Sequence, residues 1–115
     1  MLIVYAEDEP FTRVLVKKML EQDSHTVVEA HNGIVGLKKF LEVKPDLVIT
    51  DLAMPEMDGF AFIDKVRQHD CKIPIIVTTA YREEVARVED KITGCVFKPV
   101  VRNQLLELIR GTMNS

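Results

Sequence analysis

The sequence predicts an α/β fold: a doubly wound five-stranded parallel sheet of strand order 2-1-3-4-5 with helices on both faces. Three observations carry this. Short apolar runs rich in β-branched residues, such as Leu47-Val48-Ile49 and Ile75-Ile76-Val77, suit strands buried on both faces. Each run is followed by apolar residues at helical spacing, and this strand-then-helix rhythm recurs five times with short connections. Four of the five runs stop abruptly in carboxylate, hydroxyl or ammonium side chains. Parallel neighbours need crossover helices, and those crossovers are right-handed. The order 2-1-3-4-5 is the common small solution, and it makes the first and third strands neighbours whose carboxyl ends share one crevice.

The first strand, Leu2 to Ala6, stops at Glu7, Asp8 and Glu9, and Pro10 fits a helix start, where its missing N–H costs nothing. Phe11, Val14, Leu15 and Met19 predict the buried face of a helix running to about Gln22, with Arg13, Lys17 and Lys18 toward solvent. Asp23-Ser24 breaks it. Thr26 to Val28 reads as the second strand, and Asn32-Gly33 opens a helix with an expected face of Ile34, Leu37 and Leu41, ended by Lys44-Pro45. The third strand, from Leu47, ends in Thr50 and Asp51. Met54-Pro55 and Asp58-Gly59 then turn the chain, Gly59 being the residue that admits positive φ. Phe60, Ile63 and Val66 mark the third helix, and the fourth strand ends in Thr78 and Thr79 before Ala80. Residues 82–92 predict a fourth helix with a thin stripe of Val85, Val88 and Ile92, the least firmly packed element. Cys95 to Phe97 is the fifth strand, running into Lys98-Pro99. Val101, Leu105, Leu108 and Ile109 form a closing helix expected to end near Gly111.

With 115 residues the chain has the length of one domain with a real core, read as residues 1–115. A hydrophobic share of 47% and a formal net charge of -3 are ordinary for a soluble protein and argue against a nucleic-acid surface. No apolar run approaches a membrane span, and no charged leader precedes the first strand, so no membrane partner is expected and a cytoplasmic setting is the default. Cys71 and Cys95 lack metal-ligand or disulfide spacing and read as reduced, partly buried thiols. His25, His31 and His69 share no spacing and read as surface residues.

The predicted topology brings Glu7, Asp8, Asp51, Thr79 and Lys98 to one sheet edge. Two carboxylates about 4 Å apart repel by roughly 4 kcal/mol at an effective dielectric near 20, so an acidic trio invites a cation. Oxygen ligands suit a hard ion, and Mg²⁺ takes one or two carboxylates plus a phosphate oxygen while keeping several waters. Lys98 pairs with a carboxylate or a phosphoryl group, and Thr79 donates to a phosphoryl oxygen. Each residue also has a plain reading as a helix-favouring acid, a strand-end residue or a solvated lysine. Four unrelated polar punctuations meeting at one edge by accident is the less economical account.

Tyr-Ala-Glu-Asp-Glu-Pro at 5–10, Ile-Thr-Asp-Leu-Ala-Met-Pro-Glu-Met-Asp-Gly at 49–59, Thr-Thr-Ala at 78–80 and Phe-Lys-Pro at 97–99 resemble the receiver domain of bacterial two-component response regulators. The likeness runs over essentially the whole chain and is to the chemotaxis-regulator type with its flavodoxin-like fold. It implies that Asp51 is the phosphoacceptor, taking a phosphoryl group from a histidine of a sensor kinase or phosphotransfer protein, and that the chain is a switch rather than a turnover enzyme. It implies Mg²⁺ held by Asp8, Asp51 and the carbonyl of Ala53, with Glu7 acting directly or through water. Thr79, with Ala80 beside it, and Lys98 would bind the phosphoryl group, and the Lys98-Pro99 peptide would be cis. The output partner is left unnamed.

Two departures stand out. The family usually carries Tyr or Phe three residues before this lysine, and here that position is Cys95, with Phe97 two places along the same face. The stretch from Thr79 to Lys98 is also short, so the fourth helix or its following loop is expected to be trimmed. Ala53 and Tyr81, at the positions that tune dephosphorylation, offer no carboxylate or amide to orient water, which predicts a long-lived phosphoryl state. The competing reading is an interaction module of the same fold that works without phosphate. An aspartate-nucleophile phosphohydrolase would want a second Asp where Ala53 stands, and a nucleotide-binding protein would want a Gly-rich loop after the first strand.

Overall fold

The computed structural model describes residues 1–113. The strands are β1 (Leu2–Ala6), β2 (Thr26–Ala30), β3 (Leu47–Asp51), β4 (Ile75–Thr79) and β5 (Gly94–Phe97). They form one sheet in the order β2-β1-β3-β4-β5, every pair parallel. The helices are α1 (Pro10–Gln22), α2 (Gly33–Val43), α3 (Gly59–His69), α4 (Arg82–Val85) and α5 (Arg102–Met113). Because successive strand residues point to opposite faces, β1 divides its side chains between two cores. Val4 and Ala6 join Phe40, Phe62, Ile63 and Val66 on the α2–α3 side. Ile3 and Tyr5 join Val16, Leu20, Leu105 and Ile109 on the α1–α5 side. No described helix is long and apolar enough to cross a membrane.

The strands match the sequence reading, whereas several helix faces differ. On α1 the buried residues are Val16 and Leu20, while Phe11, Val14 and Leu15 are 76%, 48% and 46% exposed. The helix is rolled because Arg13 and Lys17, expected in solvent, are drawn onto Glu29 of β2, and Arg13 also donates to the Glu7 carbonyl at 2.8 Å. On α2 the inward face is Gly33, Gly36 and Phe40, leaving Ile34 and Leu41 exposed. Gly36 lets the Phe62 ring close onto the helix, where a Cβ would come within 2.9 Å of Cζ, and the Asn32 side chain caps α2 by accepting the Val35 N–H. Phe62 rather than Phe60 is the deeply buried ring of α3.

The fourth helix is one turn long and is followed by a single 3-10 turn at Glu89–Lys91, instead of running from 82 to 92. Its N-cap, Tyr81, makes no side-chain capping bond, and only Val88 of the predicted stripe is fully buried, so neither end chemistry nor packing sustains a longer helix. The closing helix continues through Gly111, which is exposed with open space around it, and Leu106 joins its core face while Val101 stays outside. Cys71 is exposed and Cys95 half-buried. His25 is buried, its ring beside Asp23 and the terminal amine, rather than on the surface.

The turn after β3 also differs in detail. Positive φ falls on Glu56, and no described glycine has it. Gly59 is instead required for close approach: its N–H donates to the Leu52 carbonyl at 2.9 Å, and a Cβ there would collide with the Asp51 carbonyl. Gly59→Ala is therefore expected to destabilise the protein by roughly 3 kcal/mol, because the obstructing atoms are backbone; an unshifted urea midpoint would refute this.

Burial lowers the His25 pKa below its ordinary 6.5, helped by the terminal amine and opposed by Asp23. The folded state then binds fewer protons than the unfolded state just below that value. The contribution to stability is complete above about pH 6.5 and is lost as pH falls through the folded pKa. His25→Gln should flatten the slope of stability against pH between about 7 and 5, read from urea unfolding at successive pH values.

Candidate functional site

Three strand ends build the site. Beyond β1, the Glu7 N–H donates to the Ala30 carbonyl at 2.9 Å, which holds the residue at the sheet edge with its side chain wholly buried. Its Oε2 accepts the Glu9 N–H at 3.0 Å. Glu9 is in turn the N-cap of α1, accepting the Phe11 and Thr12 N–H groups, so the helix start is tied to the same acidic run. At the end of β3, Asp51 keeps only 8% of its side chain exposed. Its Oδ1 accepts the Leu52 N–H at 2.7 Å and, more weakly, the Ala53 N–H at 3.4 Å. At the end of β5, the Lys98 N–H donates to the Thr79 carbonyl at 2.8 Å, and the Lys98-Pro99 peptide is cis.

The Lys98 Nζ stands 2.7 Å from both Asp51 Oδ2 and Glu7 Oε1. Only the Asp51 contact has hydrogen-bond alignment, so Glu7 Oε1 is ion-paired but without a hydrogen bond. Burial raises the pKa of Glu7, and Lys98 pulls it back. Burial opposes the Lys98 charge, but the Asp51 hydrogen bond and the negative charges of Asp51 and Glu7 outweigh it and move its pKa up. Asp8 lies exposed on the rim, and carboxylate oxygens of Glu7, Asp8 and Asp51 all fall within 4.8 Å of one another. Three carboxylates facing one ammonium leave excess negative charge, and every available donor is oxygen. With one buried Glu7 oxygen lacking a hydrogen bond, the cluster fits a hard cation.

A cavity of about 500 Å³ opens over this edge, lined among others by Asp8, Ala53, Pro55, Phe60 and Glu84. Glu84 was legible only as part of the charged face of a longer helix; with that helix cut to one turn, its Oε2 is buried with no hydrogen-bond partner among the described residues. It brings a carboxylate to the wall that Ala53 and the 54%-exposed Tyr81 do not supply. Tyr5 was also passed over, although a tyrosine in a doubly buried strand is itself a signal. Its hydroxyl is buried with no hydrogen-bond partner among the described residues, and burial, then the Glu7 and Asp51 charges, hold it protonated.

Of the sequence-predicted site residues, Glu7, Asp8, Asp51 and Lys98 are brought together. Ala53 follows Asp51 on the crevice wall. Thr79 is buried at the adjoining strand end with its Oγ1 accepting the Tyr81 N–H at 3.1 Å, and Ala80 is exposed beside it. Cys95 lies on β5, where it lines a different cavity with Phe97 and Leu108.

Residues 3–110 match the family model described as response regulator receiver domain. The chemotaxis protein CheY of Bacillus subtilis is 33% identical over 97% of each chain. Sensor protein EvgS of Escherichia coli is 36% identical over 90% of this chain, which corresponds to 9% of its own length. The crystal structure of Vibrio cholerae chemotaxis protein CheY4 superposes with a TM-score of 0.89 at 26% identity, covering 96% of each chain. A parallel 2-1-3-4-5 sheet, an acidic trio at its carboxyl edge with a lysine paired to two of its members, and a family match over nearly the whole chain lead to one assignment: this chain belongs to the response regulator receiver domain family.

Proposed function

We propose that residues 1–115 act as one receiver domain of a two-component phosphorelay, in which Asp51 accepts a phosphoryl group from a phosphohistidine of a sensor kinase or phosphotransfer protein. The observation that carries this reading is Lys98 Nζ at 2.7 Å from both the Asp51 and Glu7 carboxylates. An Asp51 oxygen attacks phosphorus in line, the P–N bond to the donor imidazole breaks as the new P–O bond forms, and the imidazole leaves to be reprotonated. Lys98 follows the charge onto the phosphoryl oxygens, and Thr79 donates its hydroxyl to one of them. Asp8, Asp51 and the Ala53 carbonyl, with Glu7 behind them, would hold Mg²⁺, which supplies charge neutralisation and a template for the phosphoryl oxygens when bound. The product is an aspartyl phosphate, and its added charge is the signal. The chain is a phosphoacceptor rather than a turnover enzyme, and the phosphorelay reading places it in the cytoplasm. Hydrolysis of the adduct meets no orienting side chain at Ala53 or Tyr81; Glu84 adds a carboxylate to that wall beside Asp8 and Asp58.

The partner that delivers the phosphoryl group must approach the open edge beside Lys98. A cavity of about 200 Å³ lies there between Phe11, Leu15, Lys98, Pro99 and Val100, continuous with the exposed apolar flank of α1. That flank suits the apolar surface of a histidine-bearing protein, since it adjoins the residues that would receive the phosphoryl group.

Intact mass after incubation with Mg²⁺ and acetyl phosphate should gain one phosphoryl group, lost in Asp51→Asn and without metal. No adduct, together with no beryllofluoride binding, would favour a module that works without phosphate. Phe11→Asp combined with Leu15→Asp should cut transfer from phosphorylated histidine phosphotransfer proteins by roughly tenfold, the effect of about 1.4 kcal/mol of lost contact. Labelling by acetyl phosphate should be unchanged; an equal loss with both donors would refute the docking flank.

A further inference from the structure

Thr79 pairs with Phe97 across β4 and β5, and Val77 pairs with Cys95. Paired residues of parallel neighbours project to the same side, so Thr79, Phe97 and Cys95 share one face. The Thr79 hydroxyl oxygen accepts the Tyr81 N–H, and Tyr81 is the otherwise uncapped start of α4. That single bond fixes where the turn begins. The next residue, Arg82, lays its guanidinium 4.2 Å from the centroid of the Phe97 ring. Arg82 has no ion pair among the described residues, so the ring is what holds it. Arg82 and Phe97 form part of a groove of about 570 Å³ that also includes Cys95, Gln104 and Leu108.

We propose that Arg82 on Phe97 is the moving part of this chain's switch: when the Thr79 hydroxyl turns to a phosphoryl group on Asp51, Tyr81 is released and Arg82 leaves Phe97, opening the groove over Cys95. This rests on the phosphoacceptor reading of Asp51. The chain of contacts is short and each link is local. Cys95 carries no ring, whereas Phe97 is seated beside Thr79 across the strand pair. A helix of four residues with no side-chain cap offers little resistance to displacement of its first residue.

Cys71→Ser leaves Cys95 as the sole thiol, and its alkylation by iodoacetamide then reports on the groove, with rates referred to the thiolate fraction from a pH profile. Beryllofluoride with Mg²⁺ serves as the phosphoryl mimic, its binding followed by ¹⁹F resonance. Binding should raise the Cys95 rate by roughly two- to fivefold, the equilibrium weight of an exposed cation–π contact. Arg82→Ala should show the raised rate without beryllofluoride and no further increase with it. Beryllofluoride bound with the Cys95 rate unchanged, or an Arg82→Ala basal rate equal to that of the parent, would overturn the switch while leaving the phosphoacceptor intact. Failure of beryllofluoride to bind would instead remove the phosphoacceptor reading and the switch with it.

Discussion

The ammonium of Lys98, shared between two buried carboxylates, is the constraint on which the site depends. Glu7 is wholly buried, and a buried carboxylate is tolerable only when a positive charge or hydrogen bonds compensate its lost hydration. Lys98 supplies that charge, and it can do so only because parallel strands β1, β3 and β5 all end at the same edge. Removing the lysine would leave like charges facing one another in a poorly hydrated crevice. The arrangement is also incomplete in a useful way, since one ammonium does not balance three carboxylates. Electrostatic stabilisation of the apo site and receptivity to a further cation thus come from the same residues.

Much of this was legible in the sequence, because burial on both faces leaves a continuous apolar run that has to stop where the chain meets solvent. Leu47 to Asp51 and Ile75 to Thr79 are read at once on that basis, and the polar ends gave Glu7, Asp8, Asp51 and Lys98 together. Helix faces were harder. Ile34 and Leu41 obey helical spacing, yet the inward face of α2 is made by Gly33 and Gly36, whose value lies in the volume they do not fill against Met57 and Phe62. Hydrophobic periodicity cannot register a contact of that kind. Phe11, Val14 and Leu15 mislead for a different reason: polar contacts from Arg13 and Lys17 to Glu29 set the roll of α1. His25 is buried beside Asp23 and the terminal amine, the latter far from it in sequence, and Glu84 lies in the single turn of α4 that lines the crevice.

Shortening α4 redistributes the work of holding the segment between β4 and β5. Arg67 of α3 donates to the carbonyls of Lys91, Asp70 and Ile73, the Lys91 ammonium meets Asp64 at 2.7 Å, and the Arg87 guanidinium lies 3.8 Å over Phe60. Polar contacts to α3 thus stand in for part of the apolar stripe, of which Val88 is the one fully buried member.

That substitution makes the tethering of this segment a property of the solution as well as of the fold. Lys91 and Asp64 are both substantially exposed, so mobile ions screen their attraction, whereas the Arg67 bonds are partly sheltered and keep most of their strength. Apolar packing would have responded in the opposite sense to a strongly salting-out medium. Ionic strength therefore acts selectively, loosening the outer pin while the inner one holds, and the ease with which the segment rearranges is set partly by the salt around it.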